Sequence, residues 1–155
     1  MTRAEIIAAL KKDRMFCIQE LVCPHTYKRD GEMAWRYLTT ELLHTLLVLR
    51  TDILNVPLTC NNYHINGGKL TQRGLRCNLC PEVRQRTDNN VLYLSAHVAG
   101  RALDLSSTRM TAEEMQQRIK ANSHKLPYNV RIEEGVKWLH IDTYDMGVKV
   151  FTFKP

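Results

Sequence analysis

Apolar residues recur at helical spacing in the first part of the chain and alternate with polar ones in the last third, so the pattern predicts helices first and strands last. Thr2-Arg-Ala-Glu5 reads as a capping box, in which a hydroxyl and a carboxylate each accept from an orphan N–H at a helix start. The helix behind it carries Ile6, Ile7 and Leu10 on one stripe and ends near Lys11 to Asp13. Trp35, Leu38, Leu42, Leu46 and Leu49 share the face of a second helix that begins at about Glu32 or Thr40. Ile53 to Thr59 reads as strand, Arg84 to Asn90 as polar loop, Val91 to Leu94 as a short strand, and Gly100 to Leu105 as a buried segment. A second capping box, Thr111-Ala-Glu-Glu114, opens an amphipathic helix through Met115 and Ile119 to about Asn122. Three strands finish the chain, Asn129 to Glu133, Val136 to Ile141 and Val148 to Phe153, with turns at Gly135 and Met146-Gly147 that predict consecutive antiparallel hairpins. The expectation is one α+β domain over residues 1–155, an antiparallel sheet with helices packed on one side, with 1–45 as a helical N-terminal part.

Composition narrows the partners. Lys and Arg number 22 against 16 Asp and Glu, so the formal charge of +6 favours anionic partners such as nucleic acid, lipid headgroups or acidic wall polymers. The basic residues are scattered among acids, and neither a recognition helix nor an aromatic–basic stacking motif is present, which argues against a nucleic-acid binder. The longest apolar run, Leu42 to Leu49, is broken by His44 and Thr45 and is far shorter than the roughly 18 residues of a membrane span. The N-terminus lacks the basic and apolar regions of a secretory signal, so synthesis in a cytoplasm is expected, with any wall activity requiring release. Nothing in the pattern calls for an oligomer, and a monomer is expected.

Five cysteines, an odd number, fit free thiols in a reducing compartment better than a disulfide framework. Cys77-Asn-Leu-Cys80 is a CxxC with no second CxxC to complete a four-sulfur site. Cys23-Pro-His25 and Cys60 could supply the missing ligands of a structural zinc; the alternative is unremarkable thiols. His44 reads as a packed flank histidine, and His64, in the Asn61-to-Gly68 loop, as solvated or facing a substrate.

The candidate chemistry centres on Ser95-Ala-His97-Val-Ala-Gly100-Arg-Ala102-Leu-Asp104 and on Trp138-Leu-His140-Ile-Asp142. His97 is expected at the end of a strand with its ring in a cleft, with Gly100 allowing a close turn and Ala102 packing beneath. Asp104 returns on the next strand, and His140 sits mid-strand with Trp138 on the same face. Two imidazoles and a carboxylate suit a zinc ion that keeps one coordination position open.

The first stretch resembles the SxHxxGxAxD signature of the peptidase M15 group, the D-alanyl-D-alanine carboxypeptidase and Hedgehog-type metallopeptidases, in their small bacterial or phage form. Trp138-Leu-His140-Ile-Asp142 is similar to the group's later W/F-x-H-x-D segment, and Gly74-Leu-Arg76 to its G-Y/F-R turn. The pieces fall in the right order over about Leu46 to the C-terminus. The resemblance implies a Hedgehog/DD-peptidase-like fold whose core, 46–155, holds zinc through His97, Asp104 and His140. It also implies hydrolysis of peptide bonds in bacterial peptidoglycan, as in a cell-wall hydrolase or phage endolysin. Arg76 would bind the substrate carbonyl or the oxyanion, and Ser95 would orient the site rather than attack.

One position departs from that pattern. Many members carry an acid three residues before the last histidine, as general base, where this chain has Lys137. A lysine cannot accept that proton near neutral pH unless its pKa is heavily depressed. Asp142 is the first substitute for the base, although it could instead orient His140; Glu133 and Glu134 come next. The alternative function is a catalytically impaired, zinc-bearing domain with a wall-binding or phage structural role.

Overall fold

The structure, a computed structural model, describes residues 1–155 and forms a single α+β domain with six α-helices and one four-stranded mixed sheet. The helices are α1 (Arg3–Lys11), α2 (Ile18–Leu21), α3 (Pro24–Asp30), α4 (Thr40–Val48), α5 (Pro81–Asp88) and α6 (Ala112–Ala121). The strands are β1 (Ala102–Leu105), β2 (Val130–Glu133), β3 (Leu139–Asp142) and β4 (Val150–Phe153).

Local chemistry sets the helix starts. Both capping boxes form: Thr2 Oγ1 accepts from the Glu5 amide while Glu5 accepts from the Thr2 amide, and Thr111 and Glu114 repeat the exchange. Thr39 caps α4 by accepting from the Leu42 amide, and α4 then runs into a turn of π-helix over Leu49–Ile53. That wider turn occupies the start of the expected Ile53-to-Thr59 strand. Only an isolated bridge from Thr59 to Ser106 remains of it. Residues 84–88, expected as loop, belong to α5, whose Pro81 opens the helix and whose Val83 is its one buried side chain. Val91 to Leu94 is irregular rather than strand, with Leu92 and Leu94 exposed.

The sheet order is β1-β3-β2-β4, with β3 antiparallel to both β1 and β2. β4, however, runs parallel to β2, so the sheet is mixed and not wholly antiparallel. The reason is topological. β1 and β2 occupy both edges of β3, so β4 adds at the outer edge of β2. Because it enters from the end where β3 leaves, it runs antiparallel to β3 and hence parallel to β2. The connector 143–149 therefore crosses the entrance of β2. Asp145 holds it there by accepting from the Asn129 side chain at 2.7 Å and from the Gly147 amide at 2.7 Å. The Val130 amide then donates to the Lys149 carbonyl at 3.0 Å.

One face of the sheet presents Leu103, Leu105, Val130, Ile132, Leu139 and Ile141 to a continuous apolar cluster. Ile6 and Leu10 of α1, Leu42, Leu43 and Leu46 of α4, and Met115 and Ile119 of α6 complete it, so the N-terminal helices share the core of the sheet. By the two-residue period of strands, Asp104, His140, Asp142, Arg131 and Glu133 point to the opposite face. No helix is long and apolar enough to cross a membrane.

Candidate functional site

Register lines the side chains up. Asp104 on β1 is paired with His140 on β3, His140 with Glu133 on β2, and Glu133 with Phe153 on β4. Two residues along, on the same face, Ala102 pairs with Asp142 and Asp142 with Arg131. His97 joins from a turn between Ala96 and Gly100, not from a strand end as expected. Ser95 Oγ accepts from the His97 amide at 3.1 Å, and the Arg76 amide donates to the His97 carbonyl at 3.2 Å.

Two glycines let the backbones close. Gly100 has φ +66°, and a Cβ there would collide with the Tyr37 carbonyl; a Cβ on Gly74 would collide with the Leu21 carbonyl. Both obstructing carbonyls belong to the N-terminal 45 residues, which thereby brace the turns on either side of His97.

His97, Asp104 and His140 are all buried, and their donor atoms lie within 4.8 Å of one another, a cluster that could hold a metal ion. His97 Nδ1 lies 2.9 Å from the Gly74 carbonyl, which only accepts, so Nδ1 carries a proton, and Nε2 faces Asp104 Oδ2 at 3.3 Å. His140 Nδ1 faces Asp104 Oδ1 at 2.8 Å, and its Nε2 faces Asp142 Oδ2 at 3.2 Å. Arg131 clamps Asp142 with Nε at 2.8 Å and Nη2 at 2.9 Å, and the Tyr144 amide donates to it as well. A carboxylate so fixed holds the Nε2 proton of His140 and leaves Nδ1 to be exchanged for a metal. Carboxylate–histidine–metal relays are built in this way. The donor set therefore fits a divalent cation.

The electrostatics agree. Burial lowers the pKa of His140, but hydrogen bonds to Asp104 and Asp142 outweigh it and raise the group to about 9. Burial would raise Asp104, yet hydrogen bonds to His140 and His97 hold it well below the ordinary carboxylate range. For Asp142 burial is likewise outweighed, by His140 and Arg131, and its pKa is lowered.

The cluster lies at a cleft of about 350 Å³ whose walls include Arg76, Glu82, Tyr93, Ser95, Glu133 and Trp138. Arg76 donates through Nε to the Gln72 carbonyl at 2.6 Å, through Nη1 to Tyr93 Oη at 2.8 Å and through Nη2 to Asp104 Oδ2 at 3.4 Å. Of five guanidinium N–H groups, two remain free.

The candidate bases separate clearly. Asp142 is fully buried, and its oxygens are taken by Arg131, His140 and Tyr144. Glu134 pairs with Lys120 at 2.6 Å away from the cleft, and Lys137 is exposed in a different groove with Arg109 and Glu113. Glu133 lines the cleft, and its carboxylate has no hydrogen-bond or ion-pair partner in the protein.

Arg131, Tyr93 and Glu82 escaped sequence reasoning. The alternation Val130-Arg131-Ile132-Glu133 carries a signal for Arg131, because Arg131 and Glu133 must share a face. Tyr93 and Glu82 sit in an irregular segment and a largely exposed helix that give none. His44 packs edge-on against Tyr128 at 5.8 Å, and His64 lies 3.7 Å from Cys17 Sγ, both outside the cleft. Comparisons with models of known families, with curated proteins and with solved structures find no match.

Proposed function

We propose that this protein is a zinc-dependent peptidase that cleaves peptide bonds of bacterial peptidoglycan. The observation that carries the reading is the convergence of His97 Nε2, Asp104 and His140 Nδ1 on an open cleft that also holds a part-free arginine and an unpaired glutamate. The reaction is the one the peptidase M15 resemblance implies, and the formal charge of +6 suits an acidic polymer.

His97, Asp104 and His140 would hold the zinc. When bound, it supplies Lewis acidity at the scissile carbonyl and makes water acidic enough to react near neutral pH. Asp142, fixed by Arg131, keeps His140 in the tautomer that presents Nδ1. Arg76 offers its two free N–H groups to the substrate carbonyl, where they bind the developing oxyanion more tightly than the ground state. Glu133 takes a proton from the attacking water and returns it to the leaving amine nitrogen, the general acid–base role its unpaired carboxylate allows. Ser95 holds the His97 turn and does not attack.

Zinc-loaded protein incubated with purified peptidoglycan is expected to release new muropeptides, detected by mass spectrometry, and to lose that activity with chelator. Glu133→Gln is expected to keep zinc while turnover falls about 10²- to 10⁴-fold, the usual span for one acid–base group. Full turnover in Glu133→Gln would remove the glutamate from its role. Wall binding with no new amine ends would overturn the peptidase reading in favour of a binding role.

A further inference from the structure

A second cluster of ligating side chains lies apart from the cleft. Cys23, His25, Cys77 and Cys80 bring their donor atoms within 4.8 Å of one another, from two segments more than fifty residues apart. Cys77 Sγ is 3.6 Å from His25 Nδ1, Cys80 Sγ is 3.9 Å from the same nitrogen, and the two sulfurs are 4.0 Å apart. Tetrahedral zinc, with Zn–S near 2.3 Å and Zn–N near 2.0 Å, sets S···S edges of about 3.8 Å and S···N edges of about 3.6 Å. The measured separations are close to those edges. A disulfide needs sulfurs about 2.0 Å apart, and all five cysteines are free.

We infer that Cys23, His25, Cys77 and Cys80 form a closed, structural zinc site of three thiolates and one imidazole. On binding, the three thiols release their protons to solvent, three Zn–S bonds form, and His25 ligates as the neutral ring through Nδ1. Four protein ligands leave no open position, so the site is structural and not catalytic.

The surroundings suit thiolates. The Leu79 amide donates to Cys77 Sγ at 3.4 Å, and Thr26 Oγ1 lies 3.2 Å from Cys23 Sγ. Cys23 and Cys80 are buried against Val83, while His25 and Cys77 form the outer lip, which gives the ion an entry path. Cys60, the other thiol the sequence offered as a ligand, is buried in the main core instead.

The site has a mechanical consequence. Cys77 follows Arg76 directly, and the Cys23 amide donates to the Leu75 carbonyl at 3.0 Å. A metal here pins the Arg76 turn to α3. The inference is independent of the peptidase reading, since it shares none of that site's ligands.

The test is a titration of the reduced, metal-free full chain with cobalt(II). A thiolate-to-cobalt charge-transfer band should appear, saturate within two equivalents because the cleft cluster can also take cobalt, and be bleached by zinc. It should persist in a His97→Ala, His140→Ala double variant, so failure of the cleft site leaves it untouched. It should vanish in Cys77→Ser and in Cys80→Ser. Should those variants fold poorly, alkylation of wild-type Cys77 serves instead: zinc should slow it by about tenfold or more, because coordination occupies the nucleophilic thiolate. The inference is overturned by absence of the band in folded wild type, by its survival in both serine variants, or by zinc-independent alkylation of Cys77.

Discussion

The two faces of the sheet are made by the same four strands, residue by alternate residue, and obey different rules. On the core face Leu103, Leu105, Val130, Ile132, Leu139 and Ile141 need only be apolar and of the right volume. On the cleft face Asp104, His140 and Asp142 are buried to a comparable degree but charged. Burying charge is unfavourable unless each group is paired, and here the pairing is complete: His97, His140, Arg76 and Arg131 surround the two carboxylates. Volume specifies one face; mutual charge and hydrogen-bond geometry specify the other.

The widest separation between the faces should come from Asp104→Ala set beside Leu139→Ala. Removing Asp104 should abolish zinc uptake at the cleft and lower turnover by about a thousandfold or more, since Lewis-acid stabilisation is worth several kcal/mol. Leu139→Ala should cost about 2–5 kcal/mol of stability while each folded molecule keeps its cleft zinc and its turnover. Metal analysis, denaturant melts and the muropeptide assay measure the three quantities. Asp104→Ala protein that keeps full activity per folded molecule would erase the distinction.

A pH series on chelated protein sharpens the same contrast. His140 is raised from its ordinary 6.5 to about 9, so the folded state holds its proton more tightly than the unfolded chain. The stability this confers is fully present below about pH 6.5 and is lost as pH rises to about 9, on the order of 3 kcal/mol. Asp104 and Asp142 are lowered, so their share is present above the ordinary carboxylate range and is lost on acidification. These are the same contacts seen from both partners and do not add. Chelated His140→Gln should lose the alkaline slope, whereas Leu139→Ala should keep the slope and shift the whole curve down.

Asp142→Asn probes the cleft face one step from the metal. The amide retains size but no longer holds a carboxylate against Arg131 and His140, and cleft zinc affinity should fall about 10- to 100-fold, as for other groups that orient a ligating histidine. Competition with a chromogenic chelator measures it. Unchanged affinity would mean that Arg131 and Asp142 stabilise the sheet and do nothing for the metal.

How much of this was legible in the sequence follows the range of each interaction. The capping boxes at Thr2 and Thr111 are local, and both helices start where those residues imply. Strand positions near Val130, Leu139 and Val150 followed from alternation. α5 was missed because Val83 alone anchors it, and the parallel β4 because its direction depends on which neighbour the 143–149 connector carries it to. The same limit hid the Arg131 clamp on Asp142, which made Asp142 look available as a base. The cysteine cluster needed two segments brought together across the fold, and no local spacing selects Cys23 over Cys60.

The smallest expected effect concerns Lys137, the residue that departs from the resembled pattern. It lies in the bend before β3, and its exposed side chain lines a groove with Arg109 and Glu113, whereas Trp138 lines the cleft. An acid introduced there would not face the cleft, whereas Glu133 is already level with His140 on the adjacent strand. Lys137→Ala should therefore leave turnover within about twofold of wild type, the scale of an uncoupled surface change, and Lys137→Glu should not raise it. A large gain in Lys137→Glu would mean that position 137 reaches the reacting water, and that the division between the two faces fails where β3 begins.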